Sequence, residues 1–75
     1  MAIDFIKERQ FEMKLMEIYR QHSWLSDEIA EADFINLFPV TYKKGKIVRL
    51  EKPAGYDLNR DIYLEVLVAF RNTFT

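Results

Sequence analysis

Residue types able to do acid–base or metal chemistry are thinly spread along this chain. His22 is its only histidine, and past it the next carboxylate is Asp27. A general base needs a neighbour that orients it and a pocket that presents a substrate. One imidazole beside a turn aspartate predicts neither; a histidine ending a helix is favoured by the helix dipole alone. Asp27, Glu28, Glu31 and Asp33 crowd a short stretch, but they lack the alternating aspartates and the turn glycine of a calcium loop. They read as a solvated helix face. With two glycines in the chain there is no phosphate-cradling loop, and no nucleophile elbow or H-E-x-x-H motif occurs. The absence of cysteine removes disulfides and thiolate metal sites. The expectation is a non-enzymatic protein with no cofactor and no metal centre.

Two other groups of residues carry chemistry of a different kind. Lys43, Lys44, Lys46, Arg49 and Lys52 make a basic segment: residues 39–52 hold five cations and one acid, whereas residues 1–38 hold four cations and eight acids. Charge asymmetry of this sort bears on partners more than on fold. As a wing, this segment would meet phosphates through salt-sensitive contacts, with Tyr42 available to stack on a base. Lysines at a hairpin tip also keep an edge soluble, and the acidic helices of a second copy are another counterpart. The second group is apolar: Phe5, Ile6, Met13 and Met16, with Trp24. Methionine adapts to irregular surfaces, and tryptophan is a frequent interface anchor.

The elements that must present these groups follow from periodicity. On a wheel of residues 5–19, Phe11, Leu15, Ile18 and Tyr19 form one seam, widened by Phe5 and Met16. Ile6 and Met13 lie on a flank beyond it, and Lys7, Gln10, Lys14, Glu17 and Gln21 oppose it. A helix over residues 4–22 with Asp4 as N-cap results, about 28 Å long. Ser23 and Ser26 interrupt the pattern. Ser26 or Asp27 is the expected cap of a second helix over 27–37, which Pro39 ends.

Residues 38–51 alternate around Lys43-Lys44-Gly45 and predict a β-hairpin with a three-residue loop, pairing Tyr42 with Lys46 and Val40 with Val48. Pro53-Ala54-Gly55 is read as a loop. A last helix over 59–72, capped by Asp57 or Asn59, carries the stripe Tyr63, Val66, Leu67, Phe70 and Phe74; a long strand is the competing reading, because the segment is rich in Ile, Val and Tyr. The fold class is α+β, a single domain over 1–75 in the order helix, helix, β-hairpin, helix.

Over eleven positions, Leu15–Leu25, the chain is similar to the first helix of the MADF domain. Ser23 stands where that family has proline, and a hairpin follows where the family stays helical, so no family is assigned.

Size completes the reading. A chain of 75 residues buries only about 60–65% of the surface its unfolded form exposes. With 49% apolar residues it is globular, yet it has neither disulfide nor metal to staple it. The longest apolar run, Val66 to Phe70, is far short of the ~20 residues a spanning helix needs. Neither a signal-peptide pattern nor a lipidation motif is read at either end, and a cytoplasmic location is expected. The function expected is a protein-interaction module: a small inhibitor, adaptor or regulator that binds a protein partner or itself as a dimer. Its size and charge polarity also resemble those of phage-type accessory proteins. A nucleic-acid-binding module using residues 42–52 as a wing is the alternative.

Overall fold

In a computed structural model of the chain, residues 3–51 and 60–74 are described. Helix α1 covers Ile3–Gln21, α2 Leu25–Glu28 and α3 Glu31–Asn36; strands β1 (Val40–Lys43) and β2 (Lys46–Leu50) form an antiparallel hairpin, and α4 covers Arg60–Phe74. This is the α+β class, with helices before and after the hairpin. Helix α1 already includes Ile3, so Asp4 falls inside its first turn and is not the N-cap expected from the sequence; the 53–55 loop and the Asp57 or Asn59 cap lie outside the described residues.

The seam of α1 is its core contribution. Phe11, Leu15 and Ile18 are buried, and they meet Ile62 and Val66 of α4 in one cluster with Leu25, Phe34, Phe38 and Leu50. Helix α4 runs antiparallel along α1, since Phe11 meets Phe70 and Phe74 while His22 meets Glu65. The Phe11 ring packs edge-on against Phe70 (5.7 Å, 80°) and Phe74 (5.9 Å, 66°), the arrangement the ring quadrupole favours. On the other flank Phe34 meets Phe38 at 5.2 Å and Tyr19 at 5.5 Å.

The continuous helix expected over 27–37 is two short helices, and the cap is neither Ser26 nor Asp27. Helix α2 already begins at Leu25, no side chain caps it, and the Ser26 hydroxyl donates to the Ser23 carbonyl at 2.9 Å. Ile29 is extended (φ −155°, ψ 143°), as is Ala30 (φ −70°, ψ 151°). The cause is packing. Leu25 and Phe34 are both fully buried, yet at 100° per residue a straight helix would aim them in roughly opposite directions. Breaking the helix between them turns both inward. The Ile29 carbonyl freed by the break accepts a hydrogen bond from the Tyr19 hydroxyl at 2.7 Å, so no buried acceptor is orphaned there.

The hairpin register also differs from the sequence expectation. The pairs are Lys43 with Lys46, Tyr42 with Ile47, Thr41 with Arg49 and Val40 with Leu50. The loop is therefore two residues, Lys44 (φ 55°) and Gly45 (φ 78°). Two positive φ values in succession mark the turn whose twist matches that of paired strands. Pairing from such a turn would leave Leu50 on the wrong face, because side chains alternate with a period of two. A bulge at Val48 adds one residue to β2 and corrects this. Ile47 and Leu50 both turn inward and are buried, while Val48 is exposed.

Candidate interaction surface

The described residues measure 38 × 20 × 19 Å, and a helix with its side chains is about 10–12 Å thick. The body is thus two helices wide, and a helix in it can be covered on only part of its circumference. Helix α1 has α4 on one flank and α2, α3 and the hairpin on the other. Its remaining arc faces outward. There Phe5 is 58% exposed, Ile6 52% and Met13 65%; Met16, nearer the α3 flank, is half-buried. Exposed Arg9 and Arg20 share this arc, at about 180° and 200° on a wheel that places Phe5 near 140° and Met13 near 220°. Phe5, Arg9, Met13, Met16 and Arg20 therefore run as one stripe at spacings of four, four, three and four. Arg20 reaches Glu31 of α3 at 3.3 Å, so one of the acids at the start of α3 is an ion-pair partner.

Trp24 is exposed just beyond the C-terminus of α1, its ring edge-on to His22 at 6.5 Å. His22 Nε2 lies 2.6 Å from Glu65 Oε2 of α4. The sequence pointed to Asp27, the next carboxylate along the chain, but the antiparallel packing of α1 and α4 brings in Glu65, 43 residues away. Both side chains are partly solvent-exposed, and the pair clasps the end of the two helices.

Between α1 and α4 runs an open groove of about 540 Å³, floored by Ile18 and Ala69 and walled by Lys14, Glu17 and Gln21 on one side and Leu64 and Val68 on the other. Leu64 is 46% exposed and Val68 55%. These two residues were missed by the sequence reading. Their signal was present: one turn apart, they fall on the opposite side of α4 from the Val66 seam.

Lys43, Lys44 and Lys46 are exposed around the hairpin turn. Arg49, also exposed, is bidentate on its own neighbour: Nη2 lies 2.8 Å from Glu51 Oε1 and 3.2 Å from Oε2. Lys52 lies outside the described residues. The Tyr42 hydroxyl donates to the Glu8 carboxylate of α1, which ties the hairpin to the helix and fixes a ring that a wing would need for stacking. Thr41 donates to Glu51, and this bond, with the Arg49 guanidinium, holds the Glu51 carboxyl below its ordinary value of 4.5. Among the described residues no helix is long and apolar enough to cross a membrane. No protein-family model, curated protein or solved structure matches this chain.

Proposed function

We propose that this chain is a non-enzymatic protein-interaction module, a small inhibitor, adaptor or regulator that binds a protein partner and associates with itself. The observation that carries this reading is the outward arc of α1, where Phe5, Ile6 and Met13 stand exposed. A single apolar side chain on a surface needs no explanation, whereas several large ones gathered on one arc of a helix make a candidate interaction site. The composition of the stripe is that of an interface: an aromatic, two methionines and two arginines, types enriched where proteins meet. Trp24, exposed just beyond the C-terminal end of the same helix, adds a residue type that often anchors interfaces.

The test is to purify the chain from native lysate and measure its mass by light scattering. A mass above the 9.0 kDa of one chain, and a protein that copurifies and is lost with Met13→Lys, are the expected results. A monomer at high micromolar concentration that retains no partner would end the proposal. The exposed lysines at the hairpin turn support a second reading, nucleic-acid contact. That reading requires binding that weakens steeply with salt and is lost in Lys44→Glu, and it fails if mixed DNA and RNA show no shift at low salt.

A further inference from the structure

The outer face of α4 is complementary to itself. Leu64 and Val68 are exposed there, and Asp61 and Arg71, also exposed, flank them. At 100° per residue all four lie within roughly 40° of one line along the outside of the helix. Their order along that line has a symmetry. Leu64 and Val68 stand two residues either side of Val66, and Asp61 and Arg71 stand five residues either side.

Two identical helices related by a twofold axis perpendicular to them run antiparallel, and residues equidistant from the axis come level. With the axis at Val66, Leu64 of one copy is level with Val68 of the other. Asp61 is level with Arg71, and the symmetry makes each of these contacts twice. A parallel pairing would instead set Asp61 against Asp61 and Arg71 against Arg71, so the charge order selects one direction.

We propose that α4 is the seam of an antiparallel homodimer in which a second copy lays its Leu64–Val68 ridge along this helix and the groove beside it, closed at each end by an Asp61–Arg71 pair. The inference rests on the reading of the chain as self-associating, and adds the surface and the symmetry. It leaves the outward arc of α1 to another protein. Over its length of about 22 Å the seam falls at the small end of specific interfaces. The dimer is therefore a weak one, with a dissociation constant on the order of micromolar.

The experiment is sedimentation equilibrium on the whole chain, with circular dichroism to follow the fold. Asp61→Arg and Arg71→Asp, made separately, each place like charges at both ends of the seam, and the dissociation constant should rise about tenfold or more. Mixed in equal amounts, the two variants should regain the native mass, because every contact across the mixed seam again joins opposite charges. Both residues also have a partner within their own chain, and only the mixture separates that role from the contact between copies.

Val68→Lys, at an exposed position, should likewise give a monomer and serves if either charge variant fails to fold. Variants that stay monomeric when mixed overturn the antiparallel pairing. A native dimer that all three variants leave intact places the seam elsewhere, while self-association stands. A native chain that is monomeric at high micromolar concentration removes both.

Discussion

At the residue scale, the clearest electrostatic consequence belongs to Glu51. The hydroxyl of Thr41 and the guanidinium of Arg49 favour its ionised form, so its folded-state pKa lies below 4.5. A carboxyl depressed in this way contributes stability above its unfolded value, and the contribution is lost as pH falls through the folded one. Thr41→Val removes the larger cause. The variant should therefore be less stable than the native chain at pH 7, and the gap should narrow once the pH drops well below 4.5. Urea midpoints at pH 7 and pH 3 check this; equal gaps at both would show that the bond acts only through packing. None of this pairing was visible in the sequence, because Thr41 comes opposite Arg49, and so within reach of Glu51, only after the strands have paired. The same holds for His22 with Glu65 and for Tyr42 with Glu8.

At the scale of elements, local pattern and tertiary packing compete. The seam of α1 is legible from periodicity because Phe11, Leu15 and Ile18 recur at helical spacing and all three enter the same core cluster. The α4 stripe is equally local, and its helical state follows from the repeat rather than from its β-branched residues. The break between α2 and α3 is not local: Ile29 and Ala30 carry no turn signal, and the chain bends there because Leu25 and Phe34 must both reach the core. In the hairpin, glycine marks the turn, but the choice between a two- and a three-residue loop depends on which face of β2 is buried. Lys44 sits in a conformation that asparagine adopts more readily. Lys44→Asn should stabilise the chain by roughly 0.5 kcal/mol, judged from the small cost of a left-handed residue at such a turn. A thermal midpoint that falls would contradict the two-residue turn.

At the scale of the whole molecule, width is the governing quantity. A body about two helices across cannot cover all of α1, and it leaves the outer side of α4 bare as well. If a second copy covers part of that surface, folding and association are linked by mass action. The thermal midpoint should then rise with protein concentration between a few micromolar and a few hundred, and Val68→Lys should abolish the dependence while leaving the low-concentration midpoint within about a degree. An invariant native midpoint would count against association.

The sequence alone determined the helix-to-hairpin order, the core seam of α1 and the basic character of the hairpin, all of them set by residues within a few turns of one another. It also raised the surplus of apolar residues on α1, but how exposed they are depends on what packs beside them. Only the tertiary structure decided the break at Ile29, the bulge at Val48, the pairing of His22 with Glu65 and the exposure of Leu64 and Val68. Each of these is set by an element distant in sequence, whose position no local spacing encodes.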